Sequence, residues 1–243
     1  MLHCVYRKIR DKLINLSQFV QIREHHFYAR GIDQNSLVVD LGANKGDFSS
    51  QISQTFGCKC YALEASPSLY NAIPENSYFK KFNLAVCKKS GPVSFYLSSN
   101  PEASTIVNDV KKAWGSIGTI IVDGTTLENF LMRNKISSID LLKIDIEGAE
   151  IEVLNSISDD TLRTIKQITI EFHQFCKGFN CRQDIIRIKK RLKNLGFICI
   201  ILNQNNTDVL FINVHKINLK WWERFYVNLL ICLFAIRSDS AFA

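Results

Sequence analysis

The chain has 243 residues, of which 47% are hydrophobic and 22% charged. Those values suit one folded α/β domain with a substantial core, exclude a disordered chain, and leave little room for a second full domain. Basic residues outnumber acidic ones by 30 to 23, a net charge of +7, which is typical of a solvated basic surface or of a protein with an anionic partner.

The eight cysteines form no recognisable metal or disulfide motif. No Cys-x-x-Cys occurs, and no histidine stands at zinc-finger spacing from a cysteine pair. The N-terminus lacks the long apolar core of a signal peptide. We therefore predict a reduced, cytoplasmic protein without a disulfide framework or a structural zinc.

Residues 1–36 are predicted to form an N-terminal helical extension, residues 37–214 the main domain, and residues 215–243 a separate aromatic and apolar tail. In the main domain, short β-branched runs alternate with longer helical stretches, which is typical of βαβ units and a mostly parallel sheet. The first elements are a strand at 37–41, a glycine turn, a helix at about 46–55, a strand at 60–63 that ends at Glu64, and a short helix at 66–72.

The later elements complete the predicted sheet. They are strands at 82–86 and 93–97 on either side of a tight turn at 88–92, strands at 139–145 and 165–172 separated by a helix at 149–156, and a basic amphipathic helix at 182–194 that ends at Gly196. Strands at 197–202 and 208–214, joined by an Asn-rich turn, form an antiparallel hairpin. The predicted fold class is a doubly wound α/β domain, mostly parallel, with a terminal antiparallel hairpin.

The glycine turn after the first strand has the features of a nucleoside-binding site. Gly42 and Gly46 stand four residues apart where the backbone turns into a helix, and glycine lets a ligand approach closely. Asp40 is placed either to position this turn or to accept hydrogen bonds from a ligand ammonium group. Glu64 ends the next strand, where a carboxylate can accept hydrogen bonds from both ribose hydroxyls.

A dinucleotide site and a P-loop fit this turn less well. From Gly42, the second and third glycines of Gly-x-Gly-x-x-Gly would fall on Asn44 and Asp47, and no Gly-Lys-Ser/Thr occurs. Acidic residues on both sides of the turn disfavour pyrophosphate, which is itself negative. The turn favours a cofactor with a sulfonium and an amino-acid end; a turn that only joins a strand to a helix is the alternative.

Polar residues also gather at the ends of two later predicted strands. Because alternate side chains of a strand share a face, Lys143, Asp145 and Glu147 point the same way, as do Glu171 and His173. Unpaired buried charge is expensive, so this grouping indicates a site rather than an accident of the edge. Histidine can accept a proton near neutral pH, although a hydrogen-bonded structural histidine is the alternative. Asp145, Glu147, Glu171 and His173 also offer the ligands of a divalent metal, which the sequence does not require.

These residues, with several further motifs, resemble the FkbM-type methyltransferases. The resemblance covers about residues 36–213 in the family's order: VVDLGANKG from Val38, EASP from Glu64, NLAV from Asn83, Ser104-Thr105, VDGTTLENF from Val122, LKIDIEGAE from Leu142 and EFH from Glu171. The first motif indicates a class I methyltransferase, and the run from Lys143 narrows the resemblance to this family.

The resemblance implies a class I, Rossmann-like methyltransferase fold with a seven-stranded sheet whose final strand is antiparallel. It implies S-adenosylmethionine as methyl donor and O-methylation, commonly of hydroxyls on sugars, glycolipids or polyketide-derived compounds. It makes Asp145 the central catalytic or acceptor-side residue. The cofactor residues that it implies are Asp40, Gly42, Asn44, Gly46, Glu64 and, on the adenine side, Asn83.

The predicted function is methyl transfer to a hydroxyl of a sugar or glycolipid. Asp145 or His173 is the candidate base, with Glu171 as its orienting partner, while the acceptor oxygen attacks the methyl in line with the sulfur. Within the family, the size and the basic tail are similar to rhizobial nodulation proteins that 2-O-methylate the fucose of a lipo-chitooligosaccharide signal.

Two other functions stay open on the sequence. The positive charge suits a nucleic-acid methyltransferase, but the four prolines stand apart and none precedes a cysteine, unlike the motifs of amino- and cytosine-methylating enzymes. A small molecule or glycan is therefore the expected partner, and nucleic acid is not. A non-enzymatic small-molecule-binding module would bind the same cofactor without transferring its methyl group.

The tail combines tryptophans and basic residues with an apolar run. Trp221 and Trp222 stand between Lys220 and Arg224, ahead of twelve uncharged residues. A bilayer span needs about 20, so this run is too short to cross one. Two interpretations of residues 217–237 stay open: peripheral contact with the inner membrane, or a terminal helix packed on the sheet or on a second subunit, of which packing is slightly favoured.

Overall fold

The structure is a computed structural model that describes residues 2–75, 77–173, 181–202 and 207–240. Its strands are β1 (Phe19–Ile22), β2 (His25–Tyr28), β3 (Leu37–Leu41), β4 (Lys59–Glu64), β5 (Phe79–Asn83), β6 (Ala85–Val86), β7 (Gly91–Leu97), β8 (Gly118–Thr125), β9 (Leu141–Ile144), β10 (Gln167–Glu171), β11 (Phe197–Ile201) and β12 (Asp208–Asn213). Its helices are α1 (Leu2–Leu16), α2 (Asp47–Phe56), α3 (Pro67–Ala72), α4 (Asn108–Trp114), α5 (Leu127–Arg133), α6 (Glu150–Ser156), α7 (Asp159–Arg163), α8 (Arg182–Asn194) and α9 (Trp221–Ser240).

Seven strands form the main sheet, in the order β11-β12-β10-β9-β3-β4-β5. The five strands from β10 to β5 are parallel, whereas β12 runs antiparallel to both of its neighbours, β10 and β11. The mostly parallel sheet with a terminal antiparallel hairpin is confirmed. The carboxyl ends of β3, β4, β9 and β10 lie at one edge, where open α/β sheets bind their ligands.

Apolar side chains cover both faces of this sheet, which is why its central strands β3 and β9 are apolar at every position except Asp40 and Lys143. On one face, Leu142, Ile144 and Ile168 pack with residues of α5, α6 and α8 in the largest core cluster. On the other face, Val38 and Leu141 pack with residues of α2. The predicted doubly wound arrangement is therefore correct.

The strands predicted at 82–86 and 93–97 do not pair with each other. Residues 79–83 form β5 of the main sheet, and β6 and β7 belong to a second sheet, where they flank β8. β8 was not predicted, because its sequence, GTIIVDGT, has three consecutive apolar residues between polar residues and glycines and so gives a weak periodic signal, although exposed and less exposed side chains alternate along most of the strand.

The N-terminal extension is only partly helical. α1 ends at Leu16, and β1 and β2 then pair as an antiparallel hairpin, followed by a short 3-10 helix at Ala29–Gly31. The prediction of a helical segment over residues 1–36 is wrong for this hairpin. The turn residues Arg23 and Glu24 include neither glycine nor asparagine, although Arg23 adopts a φ of 54°, so the usual hairpin signal is missing.

The C-terminal segment packs on the main domain rather than standing apart. Leu219, Val227 and Leu230 of this segment share a buried cluster with Leu13 of α1 and Leu210 of β12. The apolar part of α9 is too short to span a bilayer, and no other helix in the described ranges could cross one.

Candidate active site

A buried lysine connects the glycine turn to the neighbouring strand. Lys143 Nζ on β9 lies 2.9 Å from Asp40 Oδ1, 2.9 Å from the Gly42 carbonyl oxygen and 3.7 Å from Asp145 Oδ2. Burial lowers the pKa of Lys143, but the two carboxylates outweigh it and hold that pKa above its usual value. Asp40 Oδ2 also accepts a hydrogen bond from Ser49 at 2.7 Å. Of the two roles predicted for Asp40, the structure supports positioning the turn.

The glycine turn needs glycine for two separate reasons. Gly42 has a φ of 82°, and a Cβ there would lie 1.7 Å from the carbonyl oxygen of Asp145. Gly46 has a φ of 81°, and its Cβ would lie 2.9 Å from Ile73 Cγ2. The turn therefore crosses the end of β9 at a distance that no side chain allows.

Glu64 fixes the other side of the turn. Its Oε2 accepts a hydrogen bond from the backbone N–H of Asn44 at 2.8 Å, and its Oε1 accepts one from Ser66 at 2.7 Å. Burial raises the pKa of Glu64 to about 7 in spite of these bonds. Asn83 donates its side-chain amide to the carbonyls of Glu64 and Ala65, at 2.8 and 3.1 Å, so it shapes the turn after β4; its adenine-side role stays a prediction.

A cavity that is partly open to solvent lies against this turn. Gly42, Asn44 and Glu64 line its polar side, and the apolar side is formed by Leu63, Leu69, Leu84, Val86, Phe95 and Ile106. The Oδ1 atom of Asn44 is buried and accepts no hydrogen bond from the described residues. An apolar slot with a few converging polar groups is the usual form of a cofactor site. We call this space the cofactor cavity.

A second, more polar cleft adjoins the cofactor cavity. Both spaces are lined by Asn44, Glu102, Asp145 and Glu147. Lys143, Glu171 and His173 also line the cleft, as do Arg23, Glu24 and His25 of the N-terminal hairpin. We call this space the acceptor cleft. The two spaces meet at Asp145, the residue predicted to be central.

Asp145 is held ionised by the cations around it. Its Oδ2 lies 3.3 Å from His25 Nε2, and its Oδ1 lies 3.7 Å from His173 Nε2. Burial alone would raise the pKa of Asp145, but Lys143, His25 and His173 together hold it well below its usual range. Asp145 is therefore a strong hydrogen-bond acceptor and a weak base.

His173 is held between two carboxylates. Its Nδ1 lies 2.8 Å from Glu150 Oε1, and its Nε2 lies 3.1 Å from Glu147 Oε2. Burial lowers the pKa of His173, yet these carboxylates raise it well above its usual value. At neutral pH His173 keeps its proton, so the structure disfavours its predicted alternative role as the base.

Glu171 has the opposite electrostatic setting. Burial, followed by the nearby charge of Asp145, raises its pKa to about 7. An acid with that pKa is well tuned to accept a proton at neutral pH. All three predicted catalytic residues, Asp145, Glu171 and His173, line the acceptor cleft. Their pKa shifts favour Glu171 as the base, in place of Asp145 or His173.

Two groups of side chains in the cleft could ligate a divalent metal. One is Asp145, Glu147 and His173, and the other is Asp145 with Glu171 and His25. The structure thus divides the four predicted ligands between two groups. Lys143 already neutralises part of the Asp145 charge. A metal therefore stays a prediction that the site permits without needing.

Two residues of the site were missed on the sequence. Glu150 accepts hydrogen bonds from the backbone N–H groups of Ile146 and Gly148, at 3.2 and 3.0 Å, and so fixes the loop that carries Asp145. His25 was assigned to a helical extension. Its signal was two short β-prone runs separated by two residues, which indicate a hairpin even without a glycine.

The fold and the site together define a class I methyltransferase: a parallel sheet with one antiparallel strand near its edge, a glycine turn after its first strand, and a buried carboxylate ending the next. The chain matches the Methyltransferase FkbM domain over residues 40–199 and belongs to that family. Methyltransferase sdnD of Sordaria araneosa is 24% identical, with 61% of this chain and 70% of that relative covered.

Two solved structures show a distant similarity to this chain. Precorrin-6y C5,15-methyltransferase from Geobacter metallireducens GS-15 is 10% identical, with a TM-score of 0.38 and 79% of this chain and 75% of that chain covered. The fibrillarin pre-rRNA processing protein of Methanococcus jannaschii is 13% identical, with a TM-score of 0.43 and 80% of each chain covered. Membership of the family rests on the domain match and the topology.

Proposed function

We propose that this chain transfers the methyl group of S-adenosylmethionine to a hydroxyl of a sugar or glycolipid. The observation that carries the proposal is the junction of two spaces at one carboxylate. The cofactor cavity and the acceptor cleft share Asp145 and Glu147, so a donor in one and a hydroxyl in the other would meet at Asp145.

The residues of the cofactor cavity fit S-adenosylmethionine. Glu64 offers a carboxylate for ribose hydroxyls, and Asn44 Oδ1 is an unused acceptor for an ammonium group. The apolar wall suits an adenine ring. When bound, the cofactor supplies a methyl group on a positively charged sulfur, and the cavity's acidic lining is compatible with that charge.

The acceptor cleft fits a hydroxyl-rich molecule. The single proton of the acceptor hydroxyl is hydrogen-bonded to Asp145, which orients the oxygen, and a carboxylate oxygen of Glu171 lies within 4.8 Å of one of Asp145. As the oxygen–methyl bond forms and the methyl–sulfur bond breaks, that proton passes to Glu171, the stronger base of the two. His173, fixed by Glu147 and Glu150, donates a hydrogen bond within the cleft.

The charge of the cleft disfavours nucleic acid as the acceptor. Among the residues that the structure describes, six acidic ones line it, against two lysine or arginine residues, of which Lys143 is already paired with Asp40. The acidic residues are Glu24, Asp47, Glu102, Asp145, Glu147 and Glu171. A nucleic-acid backbone binds where basic side chains replace the counterions of its phosphates. The positive net charge of the whole chain therefore does not favour nucleic acid in this acidic cleft.

A labelled-methyl assay tests the proposal. Purified protein with methyl-labelled S-adenosylmethionine is offered sugars, glycolipids, a fucosylated lipo-chitooligosaccharide and RNA, and products are located by mass spectrometry. Label on a sugar hydroxyl is expected. Label on RNA would support the nucleic-acid alternative, and cofactor binding without transfer to any pool would support a binding module.

We also propose that the protein works in the cytoplasm and contacts the inner membrane peripherally through α9. The six cysteines whose side chains the structure describes carry free thiols. Trp221, Trp222, Phe225 and Leu229 form an exposed face of α9, which we call the aromatic face, with Trp221 78% and Phe225 56% exposed. Aromatic rings beside cations suit the membrane interface, and Lys220 lies over the Trp222 ring at 4.9 Å.

A further inference from the structure

The β1–β2 hairpin precedes the residues that match the family, yet hydrogen bonds fix it to the main sheet. The buried side chain of Gln167 accepts from the backbone N–H of Tyr28 at 2.9 Å and donates to the Tyr28 carbonyl at 3.2 Å. The Tyr28 hydroxyl donates to Glu223 of α9 at 2.9 Å. Burial and the Glu223 carboxylate raise the pKa of Tyr28 to about 12, so the hydroxyl remains a donor. The position of β2 is therefore set from both sides.

Alternate residues of β2 face two different parts of the protein. His25 and Phe27 pack edge-on against the rings of Phe48 and Phe56 of α2, each at 5.7 Å between centroids. His26 lies on the other face, with Nδ1 2.8 Å from Asp208 Oδ2 of β12. Two adjacent histidines, both buried, thus pair with two different aspartates, and only the His25 partner lies in the active site.

The contact between His25 and Asp145 distinguishes the two carboxylate oxygens. Because an ionised carboxylate only accepts, His25 Nε2–H donates to Oδ2 at 3.3 Å. Lys143 Nζ approaches the same oxygen at 3.7 Å. Oδ1 lies 3.7 Å from His173 Nε2, beyond hydrogen-bond length. Oδ2 is therefore held by the protein, and Oδ1 is the oxygen placed to accept from a bound hydroxyl.

We propose that His25 is a positioning residue of the active site, which holds Asp145 Oδ2 so that Oδ1 accepts the hydrogen bond of the acceptor hydroxyl. The N-terminal hairpin is then a working part of the enzyme and not an appendage of the family domain. Arg23 and Glu24, at the tip of the same hairpin, form the adjoining wall of the acceptor cleft. The inference rests on the function proposed above.

Substitutions of the two adjacent histidines test this role. We expect His25→Leu to lower kcat about 100-fold, because a misplaced reacting group costs that much, with little change in the KM for S-adenosylmethionine. His25→Gln places an amide nitrogen near the lost Nε2 and should restore most of kcat. His26→Leu is the matched control, since it removes a buried histidine–aspartate contact from the same strand; it should lower the melting temperature while kcat stays within a few-fold.

Wild-type kcat in His25→Leu, or an equal loss of kcat in His26→Leu, would overturn the positioning role. If the wild type methylates no acceptor, the proposed function fails, and ¹⁵N NMR of the imidazoles still tests the contact. We expect a protonated His25 Nε2 whose signal shifts in Asp145→Asn while that of His26 does not. A His25 signal indifferent to Asp145→Asn would overturn the inference without any assay of turnover.

Discussion

Among the charged side chains of the cleft, Asp145 and Glu171 are two carboxylates with opposite surroundings. Burial raises the pKa of both acids. For Asp145 the charges of Lys143, His25 and His173 outweigh burial and lower the pKa, whereas for Glu171 the charge of Asp145 raises the pKa further. Environments that push the pKa values of two acids apart mark different chemical roles. These settings support the proposed roles, in which ionised Asp145 orients the acceptor hydroxyl and the carboxylate of Glu171 receives the proton.

The role of Asp145 predicts the outcome of Asp145→Asn. We expect S-adenosylmethionine to bind with nearly unchanged affinity, because the amide keeps the size of the side chain, whereas turnover should fall about 10²- to 10⁴-fold. Calorimetry measures the first quantity and labelled-methyl transfer the second. Asp109→Asn, at an exposed position on α4, is the control. Undiminished turnover in Asp145→Asn would contradict the role.

The role of Glu171 predicts a pH dependence. A base must be deprotonated to act, so kcat should rise with pH and level off above about 7, the pKa to which burial raises Glu171. Glu171→Gln should lower kcat and remove this rise. Glu24→Gln is the matched control in the same cleft and should keep the rise, at a slightly lower pH, because the Glu24 charge helps to raise the pKa of Glu171. A rise that persists in Glu171→Gln would assign it to another group.

At the scale of single elements, alanine should destabilise the protein unequally at two glycines that have similar backbone conformations, one in the glycine turn and one at the end of α2. Gly42 has a φ of 82° and Gly57, which ends α2, a φ of 67°. An alanine at 57 would meet only Gln34 Cβ at 3.7 Å, so Gly57→Ala should cost about 1–2 kcal/mol of unfolding free energy from its backbone conformation. Gly42→Ala adds a collision with the Asp145 carbonyl and should cost more and abolish cofactor binding. Urea denaturation and calorimetry would show both, and equal effects would refute the close approach.

The elements that could be predicted are those with a strong local signal. β3 and β9 are apolar except for Asp40 and Lys143, and α8 is an amphipathic helix with Gly196 just beyond its end. The β1–β2 hairpin could not be predicted as readily, because its four-residue strands are short and Arg23 adopts a left-handed conformation that its residue type does not signal. Asp145, Glu171 and His173 were predictable from strand alternation, whereas His25 reaches them only through long-range packing.

On the scale of the whole molecule, charge and apolar surface are distributed unevenly. The chain carries a net charge of +7, yet the acceptor cleft is acidic, so the excess positive charge lies elsewhere. Lys220 and Arg224 flank the aromatic face of α9. A basic aromatic surface away from an acidic cleft is the distribution expected of a peripheral protein with an uncharged, hydroxyl-bearing acceptor.

This distribution predicts binding to anionic vesicles. The double substitution Trp221→Gln, Phe225→Gln should weaken binding to vesicles that contain phosphatidylglycerol by about 10-fold or more, through lost apolar burial. Salt should weaken binding as well, because it screens Lys220 and Arg224. Ile117→Gln, Ile121→Gln is the control, since both isoleucines are highly exposed but lie in or beside β8. Co-sedimentation that is unaffected by the first pair would rule out the aromatic face.

One carboxylate near the start of α9 joins the two ends of the chain. Glu223 is fully buried and accepts from the Tyr28 hydroxyl, from Arg30 at 3.0 Å and from the backbone N–H of Lys220 at 2.7 Å. Shortening the chain before α9 would therefore leave Tyr28 and Arg30 without their acceptor, three and five residues after His25. A C-terminal truncation should therefore resemble a mutation of His25, and the proposed membrane contact of α9 would be linked through Glu223, Tyr28 and His25 to the side chain of Asp145.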